Sequence, residues 1–192
     1  SMSDIFVDII GDYDAANNAY PNSNLVICKD ENGSVWWPQF NLNQIGDIMD
    51  AEGYQAKMIT TDTLTVTGQL LDPSMSITLD QGWGILGYVK VEEQDAVDMM
   101  TPLIGDYDAS VNGYLNSDLI IMKDENGSPF WPQFNLNAIG NMMAGEGYQV
   151  KMSVASNFSY PAGSGRLAYT ESLKTNYYES AQNTGNNMTI GL

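Results

Sequence analysis

The sequence predicts an α+β fold that is mostly β: two tandem small antiparallel sheet or half-barrel units, each with one helix. Three observations predict it. Residues 11–58 recur at 105–152 with an offset of 94 and no gap, and about two-thirds of the positions are identical. Such self-similarity marks one structural unit used twice. Each copy contains short β-prone runs separated by Asn-Gly, at Asn32-Gly33 and Asn126-Gly127. That dipeptide supplies the positive φ that a hairpin turn demands. Each copy is also preceded by one stretch of helical periodicity.

The elements follow in order. Asp95–Ile104 sets Ala96, Val97, Met99, Met100, Leu103 and Ile104 on one broad face behind an acidic start, which suits a helix. Pro102 weighs against its second half, because an interior proline costs about 3 kcal/mol. Asp4–Ile10 is the equivalent in the first copy. Leu25–Lys29 and Leu119–Lys123 are strands, and the Asn-Gly turns lead each into a second one at Val35-Trp36-Trp37 or Phe130-Trp131. Pro38 and Pro132 cannot donate to a ladder, so Trp-Pro-Gln-Phe-Asn-Leu-Asn leaves the sheet. Ile45–Met49 and Ile139–Met143 fit a single helical turn. Gly53–Met58 and Gly147–Met152 alternate as last strands. Between the copies, Thr63–Leu71 and Ser76–Leu79 are β-prone, parted by the turn Asp72-Pro73-Ser74.

Gly82–Val89 is a strand that opens the second copy. Its counterpart in the first copy would precede residue 1, while Asn187–Leu192 is a strand with no assigned partner. Either the first unit is cut short, or the terminal strand fills the gap and ties the ends together. The expected organisation is therefore 1–81, a first unit with a β-rich connector; 82–160, a second unit; and 161–192, a β-rich extension. The extension either pairs back with the first unit or starts a further module. The opening Ser1-Met2 reads as a cloning remnant, so the chain is expected to be a piece of a longer polypeptide.

Charge removes several functions. The chain has 24 acidic and 7 basic residues, no histidine and a net charge of −17. It cannot neutralise a row of phosphates, which argues against nucleic acid as a partner, and anionic lipid surfaces repel it. Without histidine there is no His-based acid–base pair, nucleophile or metal ligand. No apolar run approaches the length of a membrane span, so membrane insertion is not expected. Cys28, the single cysteine, sits in the apolar run Leu25–Cys28 and reads as a small buried hydrophobe. These features point away from an enzyme.

Several motifs, taken together, resemble a short module of large secreted or surface proteins of marine Bacteroidetes-type bacteria, and of virion structural proteins of marine phages. They are Gly82-Trp83, Asp118–Gly127, Trp131-Pro132-Gln133-Phe134-Asn135, Ile139-Gly140 and Gly145–Met152, covering with their repeats most of 11–58 and 82–152. The resemblance implies an extracellular, cell-surface or virion location and a structural or adhesive role. The expected partners are other modules of the same polypeptide or assembly. It supplies no catalytic residues.

Four constellations qualify as candidate sites. Asp12 and Asp14, with Asn17 and Asn18, and the repeated Asp106 and Asp108, with Asn112, offer the oxygen donors that calcium takes. The competing reading is turn chemistry, since Asp and Asn also close loops on their own backbone. Asp30–Ser34 has the look of a cation loop, but the hairpin accounts for each of its residues. The tryptophans Trp36, Trp37, Trp83 and Trp131 and the tyrosines Tyr20, Tyr54, Tyr114 and Tyr148 are possible platforms for a glycan. Trp37, Trp131, Tyr54 and Tyr148 are expected in the core, which turns Trp36 outward by the alternation of a strand. Phe130 replaces Trp36 in the second copy, so these two are the expected ligand-binding faces. Finally, Glu52 and Glu146 occupy matching turns, where a solvated turn acid outweighs a role in glycoside hydrolysis.

Overall fold

The computed structural model describes residues 1–66, 68–162 and 188–191. The fold is α+β and mostly β, built from small antiparallel sheets, and no closed barrel occurs among the described residues. The first unit runs α1 (Met2–Ile5), α2 (Val7–Ile10), β1 (Leu25–Lys29), β2 (Val35–Trp37), β3 (Leu42–Asn43) and β4 (Gly53–Met58). After β5 (Ile77–Leu79), the second unit runs β6 (Gly82–Gly87), β7 (Gln94–Asp95), α3 (Ala96–Ile104), β8 (Leu119–Lys123), β9 (Pro129–Trp131), β10 (Leu136–Asn137), β11 (Asn141–Met142) and β12 (Gly147–Met152). Two further strands follow, β13 (Ser156–Phe158) and β14 (Met188–Gly191).

Each unit is built on a five-stranded antiparallel sheet, in the orders β14-β4-β1-β2-β3 and β6-β12-β8-β9-β10. The hairpins follow from their turns. Lys29 pairs with Val35 and Lys123 with Pro129, leaving a five-residue loop in each. Gly33 and Gly127 take φ of 83° and 82° there. The Asp30 carboxylate accepts the Ser34 N–H at 2.7 Å, and Asp124 accepts that of Ser128 at 2.6 Å. Thus the Asp that resembles a cation ligand holds its own loop closed. After each 3-10 turn, Pro38–Phe40 or Pro132–Phe134, the chain returns as a short fifth strand.

The sheets are equivalent down to the outermost strand. β6 pairs with β12, setting Gly87 opposite Gly147 and Leu86 opposite Tyr148. β14 pairs with β4 in the matching register, Gly191 opposite Gly53 and Ile190 opposite Tyr54. The terminal strand therefore fills the place left open in the first unit. Most of the 161–192 extension lies outside the described residues.

Cores form where the alternation puts them. In the first unit Cys28 pairs with both Ala56 and Trp36, and all three are buried. Met122 pairs with Val150 and Phe130 in the second, and again all three are buried. Small and large side chains are traded across the ladder: Ala, Cys and Trp fill the space that Val, Met and Phe fill in the other copy. Burial at about 25 cal/mol per Å² makes these ladders, with Tyr54, Tyr148 and the helices, the main source of stability.

Four local expectations are corrected. The helical turns at 45–49 and 139–143 are absent: Gly46 and Gly140 stand at φ of 85° and 76°, which a right-handed helix does not admit. Asn43 brackets Gly46, its amide nitrogen donating to the glycine carbonyl and its oxygen accepting the glycine N–H, both at 2.9 Å. Asn137 does the same to Gly140, and β11 then pairs with β7. The described residues of Thr63–Leu71 form no strand; β5 pairs with β13 instead. The first-copy helix is split at Phe6, whose ring lies 5.4 Å from that of Trp36. α3 is continuous through Pro102, capped by the Asp95 carboxylate on the Val97 N–H at 2.8 Å. In its last turn the proline forfeits one N–H bond to Asp98.

Candidate functional site

Trp36 and Phe130 are not binding faces. They are 3 % and 1 % exposed, inside the two cores. The alternation holds, but its phase is the opposite of that expected: Trp36 lies across from Cys28 and Trp37 across from Leu42. Once the five-residue loop sets that register, a buried Cys28 carries Trp36 inward with it. Tyr54 and Tyr148 are core residues, whereas Trp37 is half-buried and Trp131 exposed.

What reaches the surface is therefore the other half of the motif. Trp37 stacks edge-on against Phe40, and Trp131 against Phe134, with ring centroids 4.8 Å apart in both units. Phe40 is 65 % exposed and Phe134 57 %, next to the exposed Leu42 and Leu136. The 3-10 turn explains the exposure: it lifts the chain off the sheet before the last strand returns. The two patches lie where β2 passes through the 3-10 turn into β3, and β9 into β10, at the far end of each sheet.

The sheet faces turned from the cores also gather positive charge. Of the five lysines among the described residues, Lys29, Lys57, Lys123 and Lys151 stand there. The fifth, Lys90, is buried and donates to the Pro161 carbonyl; burial lowers its pKa. Lys151 is directly across from Trp83, and Lys123 is one strand further. Both ammonium groups lie 5.6 Å from the Trp83 ring centroid, within cation–π range. Trp83 itself is 50 % exposed.

Beside Trp83 runs a groove of about 130 Å³ lined by Asp30, Glu31, Gln55, Trp83, Gly84, Ile85 and Gln149. Gln55 and Gln149 are repeat equivalents, so the groove sits at the seam between the units. The seam is tight. The Gly87 N–H donates to the Ala51 carbonyl at 3.0 Å, Glu52 bridges Leu86, and Ala51 is buried with the second core. A side chain at Gly87 would lie 2.9 Å from the Glu52 carbonyl oxygen. Trp83 carries a signal in the sequence: Leu86 and Tyr88 face the core, so the odd positions of the strand face out.

The carboxylates serve the turns. Asp14 accepts the Ala16 N–H at 2.9 Å and the Asn17 amide at 2.7 Å. Asp108 accepts the Ser110 N–H at 2.8 Å and its hydroxyl at 2.6 Å. Hydrogen bonds from the Asn17 side chain, and from the Ser110 side chain in the second copy, lower both pKa values. Asp12 and Asp106 are exposed beside them. Among the described residues, no three acids converge as a metal group. Glu146 is not a solvated turn acid. The Met143 N–H donates to the Tyr148 hydroxyl, which donates to Glu146, each at 2.8 Å. Burial, reinforced by Glu125 and Asp124 against the Tyr148 hydrogen bond, pushes its carboxyl up to about 7. The first copy repeats the relay from Met49 through Tyr54 to Glu52, at 3.0 and 2.9 Å. In both, the acid fixes the turn before the last strand.

Comparison with protein-family models, with curated proteins and with solved structures returned no match. No helix among the described residues is long and apolar enough to cross a membrane.

Proposed function

We propose that the chain is a non-catalytic structural and interaction segment of a secreted, cell-surface or virion protein, working against neighbouring modules of the same assembly. One observation carries the reading: the duplicated units keep an identical motif, Trp-Pro-Gln-Phe-Asn-Leu, whose exposed Phe40 and Phe134 pair edge-on with Trp37 and Trp131. The core positions Trp36/Phe130 and Cys28/Met122 differ between the copies, whereas the rings Trp37/Trp131 and Phe40/Phe134 do not. An apolar surface kept twice in an acidic protein is the mark of a contact made twice. The net charge keeps such contacts weak at low salt and permits them when the charge is screened.

A second copy of the chain serves as the available neighbour. Sedimentation velocity in rising sodium chloride is expected to show concentration-dependent association. A Phe40→Ser/Phe134→Ser double variant should lose it with its circular dichroism spectrum unchanged. A wild-type chain that stays monomeric at all salt and protein concentrations would overturn the reading.

A further inference from the structure

We propose that the groove at the seam is a binding site for a single sugar ring of a glycan, with Trp83 as its platform. The proposal is independent of the scaffold reading: it depends on the seam and not on the exposed phenylalanines.

The groove combines groups that a pyranose needs and that a purely apolar or purely charged ligand does not. A sugar ring has an apolar C–H face, which an indole ring covers, and a rim of hydroxyls that both donate and accept. Trp83 offers the indole, half exposed at the groove wall. Gln55 and Gln149 offer one amide each, from strands of different units. Asp30 and Glu31 offer acceptors from the first hairpin turn. Asp30 has one oxygen engaged by the Ser34 N–H, which anchors that turn at the groove. Ile85 adds apolar surface to the same shallow groove.

Preorganisation is the second part of the argument. An exposed tryptophan costs entropy to immobilise on binding. Here the ammonium groups of Lys123 and Lys151 lie within cation–π range, each 5.6 Å from the ring centroid, and favour this placement of the ring. The two lysines thus act as positioning residues. The seam makes the site single. In the register that matches Gly191 to Gly87, the sequence position corresponding to Trp83 is Asn187, so the repeat builds two scaffolds but one tryptophan platform. The local charge is mixed, Asp30 and Glu31 in the lining against Lys123 and Lys151 beside Trp83, so the net charge of −17, which repels anionic ligands, favours a neutral sugar.

The test is an NMR titration of the full chain, following the four indole N–H resonances. The probes are cellohexaose, laminarihexaose, mannohexaose and chitohexaose, each to about 10 mM, with trigalacturonate as the anionic control; that ceiling detects dissociation constants in the millimolar range. The expected result is saturable movement of the Trp83 resonance with at least one neutral probe. Trp83→Ala and Gln149→Ala should weaken that probe about tenfold or more, a difference of about 1.4 kcal/mol. Lys123→Gln with Lys151→Gln should weaken it less, and Trp131→Ala should leave it unchanged. Trp83→Phe, which keeps an aromatic on the same strand, should keep part of the affinity and the wild-type fold. No movement of Trp83 with any neutral probe would overturn the proposal. So would a response to trigalacturonate alone, or equal losses from Trp131→Ala and Trp83→Ala.

Discussion

The backbone N–H of Gly87 donates to the carbonyl of Ala51 across 3.0 Å, joining a strand of the second unit to the turn that starts β4 in the first. A Cβ at position 87 would lie 2.9 Å from the Glu52 oxygen and 3.0 Å from that of Ala51. Both are backbone atoms, which cannot swing aside as the end of a side chain can. Gly87→Ala is therefore expected to cost about 2 kcal/mol, as overpacking of a rigid contact does. Urea denaturation measures it; an unchanged midpoint would mean that the seam yields freely.

The two cores can be traded against each other. Trp36→Phe should cost about 1–2 kcal/mol by leaving a cavity. Cys28→Met and Ala56→Val should each cost about 1–3 kcal/mol by overfilling the same space. Made together, the three rebuild the Phe130–Met122–Val150 ladder of the second unit. The triple variant should then be more stable than the sum of its parts by about 1 kcal/mol or more. Strict additivity would show that the ladders do not share a volume.

Glu146 gives the protein a pH dependence of known sign. Its carboxyl is pushed up to about 7 in the fold, above its ordinary value of 4.5. The native state thus holds more protons than the unfolded one between those values, and stability falls as pH rises through that window. The carboxyl remains partly exposed, so solvent screening brings the loss down to about 1–2 kcal/mol. Glu146→Gln should remove most of this slope and raise the melting temperature at pH 8, with less effect at pH 5. A variant as pH-sensitive as the wild type would place the slope on other groups.

The aspartate loops set a prediction for calcium. Asp14 and Asp108 spend their carboxylates on loop backbone and on the Asn17 and Ser110 side chains. Calcium added at matched ionic strength should leave the melting temperature where chelator leaves it. A native-state ligand would raise it in proportion to RT ln(1 + [L]/Kd). A rise that is lost on Asp12→Asn and Asp106→Asn would reverse this assignment and put the ion at those loops.

Much of the fold is legible in the residues. Leu25–Lys29, Gly53–Met58 and their repeats appear as strands at their expected bounds, because alternation and Asn-Gly turns act locally. Apolar spacing predicts helical turns at 45 and 139 that do not form, because a glycine clamped by an asparagine three residues earlier leaves no trace in that spacing. The faces of Trp36 and Trp37 differ from expectation for another reason. Alternation gives the period of a strand but not its phase, and only the pairing with Cys28 supplies the phase. The groove beside Trp83 was beyond reach of either rule, since it exists only where the two sheets meet.

The pairing of β14 with β4 reverses the order in which the halves can mature. During synthesis the second unit has all five strands of its sheet in hand once residue 152 has cleared the ribosome. The earlier-made half must wait with one edge bare until residues 188–191 emerge. The portion translated first is thus finished last, and the vulnerable interval for misassociation belongs to the amino-terminal half.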